Sequence, residues 1–249
     1  KIEPEPTPFL KMNVDAPSSF DINKNIVLTF EEPVVRIDTS AIRVNVKEDT
    51  LWVKTPFLLV ADSVIPRQYE ILAGWEPEKE YQLQIDSAAI TGLYGLHTNK
   101  VEQTLKVKKL DEYGTLLLNL PGVEKTCIVE LLDNSGKVLR QQAVTPEGTA
   151  DFYYLAPNTK YYIRMFNDRN GNKVWDTGVF EKGLQPEEVY YFPKVWEMKA
   201  NFEFEETWNV HAVPADKQKL DEIKKQKPEE AKKVQNKNLE RAKKLGRTS

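Results

Sequence analysis

The sequence predicts an all-β protein with two tandem β-sandwich domains and a basic C-terminal tail. Apolar residues recur at every second position in many short segments, a period typical of strands with one buried face. Proline, glycine, asparagine and aspartate separate these segments, as they do in the turns of β proteins. The tail differs from both domains because it is rich in lysine and poor in apolar residues.

Composition limits the possible functions. The chain has 249 residues, enough for two ordinary domains, and 40% of them are hydrophobic, which is enough for a buried core. A net charge of −3 argues against nucleic-acid binding, which favours a basic domain. No apolar run reaches the roughly 18 residues of a membrane helix, and we find no signal peptide. The chain begins with Lys1 rather than methionine, so we expect a piece of a longer protein.

Reactive residues are few. Cys127 is the single cysteine, which excludes a disulfide within the chain, and its apolar surroundings (TCIVELL) predict a buried, inert thiol. His97 and His211 lack the spacing of a metal or nucleophile site, and we expect both in loops or at the surface. The sequence has no phosphate loop, nucleophile elbow or HExxH motif, and no carboxylate stands in an apolar setting that would raise its pKa. We therefore expect a protein that is not an enzyme.

The first domain is predicted to span residues 9–109. Residues 1–8, where three prolines alternate with charged or polar residues, are expected to form an extended linker. Six or seven short strands in about 100 residues are typical of a β-sandwich. Residues 87–96 are expected to form a loop before the last strand. The predicted strands are 26–30, 42–46, 57–60, 69–72, 81–85 and 101–107.

The second domain is predicted to span residues 113–210, after a short joint at 110–112. The segment LDNSGKVL indicates a hairpin, because Asp133, Asn134, Ser135 and Gly136 provide turn chemistry between two apolar runs. The predicted strands are 114–120, 127–132, 138–144, 149–155, 161–166, 189–192 and 200–207.

The tail, residues 216–249, contains twelve Lys and Arg residues and six acidic residues. A helix is predicted from Pro228, since proline is tolerated at the first helical position and Gly246 can end the helix. Its apolar stripe is too thin for a stable isolated helix. Two interpretations remain open: a solvated, partly helical or disordered tail, and a basic segment that contacts acidic lipid headgroups or an acidic partner.

The run from Asp168 to Asp176 carries oxygen-bearing side chains at regular spacing. In the pattern DxNxNxxxD, Asp168, Asn170, Asn172 and Asp176 occupy positions one, three, five and nine, and Val174 at position seven can offer a backbone carbonyl. Calcium takes six to eight oxygen ligands at about 2.3–2.6 Å, which such a loop can supply. The alternative is a structural turn, because Asn and Asp also bond to nearby backbone and tolerate left-handed conformations.

This pattern is similar to the first part of an EF-hand loop and to the DxNxNGxWDxG calcium loops of surface-protein sandwich repeats. It departs from the EF-hand at position six, where Lys173 replaces glycine, and at position twelve, where Val179 replaces glutamate. Glu181 lies two residues further on and could reach the site in place of that glutamate. With two carboxylates and the basic Arg169 nearby, we expect weak calcium binding, at about 10⁻⁴–10⁻³ M.

Aromatic residues are concentrated in the second domain. Neighbouring aromatic residues on a strand point to opposite faces, so one of each pair is expected to lie outside the core. Such a ring can stack on a sugar or anchor a protein interface, and it can equally cover a sheet or pack between domains. The candidate ligand-binding residues are Tyr154, Tyr162, Tyr190 and Trp196.

Three segments of the first domain, which together span about 100 residues, carry a family resemblance: FDINKNIVLTFEEPV, WEPEKEYQLQID and AAITGLYGLHTNK. With these segments the first domain resembles the immunoglobulin-like domain of Bacteroidetes-type cell-envelope proteins; Trp75 stands where that family often has leucine. In the second domain, Gly148 precedes an alternating strand, and Leu155, Pro157 and Tyr161 form the pattern Leu-x-Pro-x-x-x-Tyr. With this pattern the second domain resembles transthyretin-like or Cna-B-like sandwich repeats.

These resemblances imply a non-enzymatic module of a lipoprotein at the outer membrane or cell surface, with its signal and lipid anchor outside this chain. The implied role is that of a spacer, an adhesion module or a docking subunit, with other envelope proteins as partners and possible stabilisation by calcium. The alternative from a different class is a glycan-binding module that uses exposed Tyr and Trp. An exposed aromatic platform next to polar groups would distinguish the two.

Overall fold

The chain folds into short strands that are divided between two compact units. The computed structural model describes residues 8–123, 125–146, 148–224 and 244. The first unit contains the chain up to Thr115 with Tyr153–Pro157 and Lys199–Glu203, and the second contains Leu116–Phe152, Asn158–Met198 and the chain from Phe204. The predicted fold class is confirmed: the protein is all-β, with several sheets in sandwich-like domains. Within the described ranges, no helix is long and apolar enough to cross a membrane.

The first unit has two main sheets and a two-stranded ribbon. The sheet orders are β1-β3-β8-β7, β2-β11-β9-β5-β6 and β10-β4. The strands are β1 (Met12–Asp15), β2 (Ser19–Phe20), β3 (Ile26–Phe30), β4 (Val34–Ile37), β5 (Ile42–Glu48), β6 (Leu51–Thr55), β7 (Phe57–Ala61), β8 (Gln68–Ala73), β9 (Glu80–Ile85), β10 (Ile90–Gly92) and β11 (Val101–Val107).

Alternating apolar side chains build the core of the first unit. In β3, Ile26, Leu28 and Phe30 are buried, whereas Thr29 is exposed, as the period of two requires. Trp75 lies edge-on to Phe20 and to Tyr81, with ring centroids 5.1 and 4.9 Å apart. These apolar contacts hold the two main sheets face to face.

The structure also contains strands that the sequence pattern did not predict. β1, β2, β4, β6 and β10 were not expected, and β10 lies inside the segment 87–96, which was expected to be a loop. Residues Ile90–Gly92 pair with β4 and contain a register shift at Thr91/Gly92. β10 has only three residues, and its bulge interrupts the alternation, so the sequence shows no recognisable period of two there.

The two remaining sheets have the orders β15-β12-β19 and β14-β13-β16-β17, and β18 also pairs with β16. The strands of the sheet β14-β13-β16-β17 all belong to the second unit, whereas those of the sheet β15-β12-β19 include residues assigned to each unit. The hairpin and all seven strands predicted for the second domain are confirmed within one or two residues, and β18 was not predicted. The strands are β12 (Gly114–Asn119), β13 (Cys127–Leu132), β14 (Val138–Val144), β15 (Thr149–Leu155), β16 (Lys160–Asn167), β17 (Val189–Tyr191), β18 (Trp196–Glu197) and β19 (Phe202–Thr207).

β13 is buried on both faces, which explains its continuous apolar run. All six of its residues are buried, including Glu130, which corrects the expectation that no carboxylate stands in an apolar setting. Glu130 pairs across the sheet with Gln141 on one side and Arg164 on the other. Its carboxylate accepts hydrogen bonds from both side chains, so the buried charge is compensated by an ion pair and a polar hydrogen bond.

The segment from Ala215 to Ile223 packs on the second unit. A short helix, α1 (Ala215–Gln218), is followed by a 3₁₀ turn at Asp221–Ile223, and Ile223 packs with Leu132 and Tyr162. The helix predicted from Pro228 and most of the predicted tail lie outside the described residues. The same is true of residues 1–7 of the predicted linker.

Candidate functional site

The oxygen-rich loop starts directly after β16 and is organised by Asp168. The Asp168 Oδ1 atom accepts backbone N–H bonds from Gly171 at 2.8 Å and from Asn172 at 3.2 Å. Its Oδ2 atom accepts the N–H of Lys173 at 3.0 Å. One half-buried carboxylate thus receives three successive amides and curls the chain into a compact turn.

Two residues of this turn have left-handed backbone conformations. Gly171, at position four, has a φ of 73°, and Lys173, at position six, has a φ of 61°. An EF-hand loop requires glycine at position six for its sharp turn. The backbone therefore makes a left-handed turn at the same position although the residue is lysine.

The two asparagines converge on Asp176. Their Nδ2 atoms lie 2.6 Å (Asn170) and 3.2 Å (Asn172) from the same carboxylate oxygen, Asp176 Oδ2. Each Oδ1 atom accepts a backbone N–H two residues ahead, from Asn172 and from Val174. All five predicted metal ligands thus lie in one hydrogen-bonded turn, with the Val174 side chain exposed.

Glu187 anchors the loop from outside the predicted motif. This carboxylate is 4% exposed, and its two oxygens accept the backbone N–H groups of Arg169 at 2.8 Å and Asp176 at 3.1 Å. The Trp175 indole N–H donates to the Glu187 carbonyl at 3.0 Å, and the Glu187 N–H donates to the Asp176 carbonyl. This role could not be predicted from the sequence, because Glu187 lies eleven or more residues from its partners, in a PEEV segment without a recognisable motif.

The charges around the loop set limits on any bound cation. Asp168 and Asp176 provide the carboxylates of the motif, while both oxygens of Glu187 are occupied by backbone amides. Across the described residues, no three His, Cys, Asp or Glu side chains form a group suited to a metal. A cation here would depend on amide and carbonyl oxygens for most of its ligands, which is chemistry that suits calcium.

Two of the four candidate ligand-binding aromatics are buried. Tyr162 and Trp196 are each 2% exposed, which corrects the expectation that they face solvent. Tyr162 donates its hydroxyl hydrogen bond to Glu222 at 3.0 Å, and Trp196 packs edge-on against Phe204. Tyr154 belongs to the first unit, whereas the other three belong to the second.

Tyr190 does line a cleft, of about 340 Å³, in the second unit. Its hydroxyl donates to Glu188 Oε2 at 3.1 Å, and the Asn167 side chain donates to the same oxygen at 3.2 Å. The ring lies edge-on to His211, with centroids 5.3 Å apart, and Lys125 also lines the cleft. Burial, followed by the hydrogen bond to Glu188, raises the pKa of Tyr190 above its ordinary value.

Cys127 has the properties expected of a structural thiol. It is fully buried in β13, and desolvation raises its pKa to about 11. Both histidines are exposed, as predicted; His97 forms a hydrogen bond with the Thr91 hydroxyl at 3.1 Å.

Comparisons with known proteins find only distant structural relatives. No protein-family model matches the chain, and no curated protein matches it. An Escherichia coli alpha-2-macroglobulin fragment spanning domains MG0-NIE-MG1 is 12% identical, with a TM-score of 0.36 over 74% of this chain and 71% of that one. The N-terminal part of the bacterial S-layer protein SbsC is 12% identical, with a TM-score of 0.32 over 65% of this chain and 41% of that one.

A third similar structure is BcpA, the major pilin subunit of Bacillus cereus. It is 10% identical, with a TM-score of 0.27 over 80% of this chain and 69% of that one. These proteins are distantly similar bacterial β-sandwich modules. Similarity at this level does not identify a family or a function for this chain.

Proposed function

We propose that this chain is a non-enzymatic structural and interaction module of a bacterial cell envelope, and that calcium stabilises its Asp168–Asp176 loop. The observation that carries the proposal is the loop itself. Side-chain oxygens of Asp168, Asn170, Asn172 and Asp176 gather in one turn, and Lys173 has the left-handed backbone of an EF-hand position six.

The asparagine amides suggest how a cation would bind. Both Nδ2 groups now donate to Asp176 Oδ2, and the nitrogen and oxygen of such an amide differ only by a flip. Turning each Oδ1 toward Asp176 would place oxygen atoms against a carboxylate, an arrangement that a cation would stabilise. The flip would also lose the bonds from the Asn172 and Val174 amides, so we expect binding near the weak end of about 10⁻⁴–10⁻³ M.

The buried titratable groups support a structural role. Glu130 is neutralised by Arg164, Glu187 holds backbone amides, and the thiol of Cys127 has a raised pKa that suppresses its nucleophilic thiolate. Each of these three groups thus has a packing or hydrogen-bonding function.

The cell-envelope assignment rests on the sequence resemblance of the first unit. FDINKNIVLTFEEPV and the WEPEKEYQLQID strand support a Bacteroidetes-type immunoglobulin-like domain. On this proposal, the chain is part of an outer-membrane-associated lipoprotein, attached through a lipid anchor outside this chain. Its partners are other envelope proteins, and its role is to act as a spacer, an adhesion module or a docking subunit.

Thermal unfolding tests the calcium proposal. With a Kd of about 1 mM, about 10 mM calcium stabilises the folded state by about 1.4 kcal/mol, which raises Tm by a few degrees. The melting temperature of the wild type would be measured in calcium, in magnesium and in chelator, at constant ionic strength. Terbium luminescence sensitised by Trp175 would report binding directly, because this indole lies in the loop.

The matched variants are Asp176→Asn and Glu181→Gln. Both change one carboxylate into an amide, but Glu181 lies in the exposed 3₁₀ turn Phe180–Lys182, outside the motif. Asp176→Asn keeps an oxygen for the asparagine amides and is expected to lose the calcium-dependent shift and the terbium signal. Glu181→Gln is expected to keep both. An unchanged wild-type Tm at 10 mM calcium (about ten times the weakest expected Kd) would reject the metal.

A second candidate function, glycan binding, is favoured by the Tyr190 cleft alone. A cleft that joins an aromatic ring to Asn167, Glu188 and Lys125 has the composition of a sugar site. Binding to an array of bacterial and host glycans would be compared for wild type and Tyr190→Ala. Tyr94→Ala, which removes a 78% exposed tyrosine of the first unit, is the control. Absence of any glycan signal that depends on Tyr190 would exclude this role for the cleft.

A further inference from the structure

Strand β7 forms an exposed and uncharged sheet edge in the first unit. Its sequence, FLLVA, contains no charged residue, and among the described strands it is paired with β8 only. Leu58 is 67% exposed and Val60 is 47% exposed. Proteins usually protect such edges with lysine, proline or a bulge within the strand, because an open edge pairs readily with another chain. β7 contains none of these.

The pairing with β8 determines which backbone groups remain open. β7 runs antiparallel to β8, with Leu58 opposite Leu72 and Val60 opposite Glu70. The Asp62 amide donates to the Gln68 carbonyl, which places residues 62, 60 and 58 in the hydrogen-bonded pairs. The N–H and C=O groups of Phe57, Leu59 and Ala61 therefore point away from β8.

We propose that β7 pairs antiparallel with β7 of a second copy of this chain, in a two-fold symmetric dimer. The two four-stranded sheets would then join into one continuous eight-stranded sheet across the symmetry axis. Such an interface is isologous, since the same strand is contributed by both copies. It uses strand addition, in which backbone hydrogen bonds provide affinity.

The open backbone groups favour one register. With Leu59 on the two-fold axis, Phe57 lies opposite Ala61 of the second copy, and Leu59 lies opposite Leu59 of the second copy. All three residues with open backbone groups then form hydrogen-bonded pairs. Moving the axis to Leu58 or to Val60 leaves only two such pairs, so the centred register satisfies the most donors and acceptors.

The side chains fit the same register. Leu58 lies opposite Val60 of the second copy, and the symmetry operation repeats this pair on the other side of the axis. Both residues are exposed in the single chain and belong to the outer face, whereas Phe57 and Leu59 pack toward the core. The pairing would bury apolar side chains against each other and would bring no like charges together.

A second copy is favoured over an unrelated partner because this edge is self-complementary. The three residues with open backbone groups are symmetric about Leu59, and the two exposed apolar residues are symmetric about it as well. Because five residues bury little area, we expect a weak, concentration-dependent dimer. The inference rests on the interaction role proposed above and names one partner. It involves no residue of the calcium loop, so each proposal can fail without the other.

Disulfide trapping tests the register. A hydrogen-bond-free antiparallel pair has Cα atoms about 4.5 Å apart, within the range that a disulfide spans. An equal mixture of Leu58→Cys and Val60→Cys chains is therefore expected to form a cross-linked dimer under mild oxidation. Each variant alone places its cysteines about two residues apart along the strands, beyond disulfide reach. Cys127 does not interfere, because it is buried and its pKa is raised.

Sedimentation measurements over a range of concentrations test the dimer itself. The double variant Leu58→Lys with Val60→Lys places lysines opposite each other and is expected to weaken the dimer by about tenfold or more. The matched control, Leu51→Lys with Val53→Lys, changes two residues of β6 that are 71% and 41% exposed, and should leave the dimer intact. All four side chains are exposed, so both variants should keep the wild-type Tm.

Three results would overturn the proposal. A wild-type chain that remains monomeric at millimolar concentration has no functional β7 pairing. A dimer that persists in the Leu58→Lys, Val60→Lys variant uses another surface. Cross-linking that is as efficient for the single cysteine variants as for their mixture would contradict the register centred on Leu59.

Discussion

Lys173 has a backbone conformation that normally favours glycine. Its φ of 61° is in the left-handed region, which costs a residue with a side chain about 1–2 kcal/mol. The strain is tolerated because the Lys173 amide donates to Asp168 Oδ2 and completes the turn. The loop conformation is therefore fixed by the Asp168 carboxylate, although a lysine at position 173 disfavours the left-handed backbone that this conformation requires.

We predict that Lys173→Gly leaves the free energy of unfolding unchanged or raises it by up to about 1 kcal/mol. The stabilisation gained by removing the strain is partly offset by the greater conformational entropy of glycine in the unfolded chain. Lys173→Val should destabilise the protein by about 1 kcal/mol or more, because a branched Cβ crowds a left-handed backbone. Denaturant unfolding measures both changes.

Lys182→Gly is the control for this prediction. Lys182 lies in the 3₁₀ turn Phe180–Lys182 and does not have a positive φ, so glycine there brings only its entropic cost of about 0.5–1 kcal/mol. Equal destabilisation by Lys173→Gly and Lys182→Gly would contradict strain at position 173.

Some residues of the candidate site could be predicted from the sequence alone, and others could not. The motif residues Asp168, Asn170, Asn172 and Asp176 could be identified because their spacing is local. Glu187 could not, because a buried glutamate that binds distant backbone amides has the same appearance in the sequence as a surface glutamate. Glu130 was likewise hidden in an apolar strand, since its compensation by Arg164 depends on strand pairing.

Among elements, strand length determined how well the sequence predicted the fold. β3, β11, β13, β14 and β15 have the predicted bounds, because each is at least five residues long and shows either an alternating pattern or, in β13, a continuous apolar run. β2 and β18 contain two residues each, which is too short for any period. β6, with the sequence LWVKT, is exposed at four of its five positions, so its burial pattern does not alternate.

The segment after the loop is closed by a tight backbone approach at Gly178. Its φ is 83°, and a Cβ atom there would lie 2.5 Å from the Leu184 carbonyl oxygen and 2.7 Å from the Pro186 nitrogen. The Val179 and Leu184 backbones are hydrogen-bonded to each other immediately beyond it. Glycine is needed here both for its conformation and for its lack of a side chain.

We predict that Gly178→Ala destabilises the second unit by about 2–4 kcal/mol, the sum of left-handed strain and overpacking. Gly183→Ala is the matched control. Gly183 also has a positive φ, of 64°, but a Cβ atom there would meet nothing within 4 Å, so only the strain of about 1–2 kcal/mol applies. Chemical denaturation would measure both variants; equal losses would show that the backbone near Gly178 relaxes without cost.

At the scale of the whole molecule, buried weak acids limit stability at high pH. Burial is the largest cause of the raised pKa of Tyr81, Tyr113, Tyr162 and Tyr190, and of the Cys127 thiol. A group whose folded pKa lies above its unfolded pKa contributes stability that is fully present below the unfolded value. That contribution is lost as the pH rises through the folded pKa.

We predict that the free energy of unfolding falls from pH 9 upward. Cys127 contributes first, because its pKa rises from 9.0 to about 11 on folding, which corresponds to about 2 kcal/mol lost across that interval. The tyrosines add to the loss above pH 10, their ordinary pKa.

Denaturant unfolding of wild type and Cys127→Ala at pH 7, 9, 10 and 11 isolates the contribution of the thiol. Cys127→Ala is less stable at pH 7 because it leaves a cavity, but its deficit relative to wild type should shrink between pH 9 and 11. A deficit that is constant with pH would mean that the thiol does not ionise on unfolding in this range, and the alkaline loss would then belong to the tyrosines.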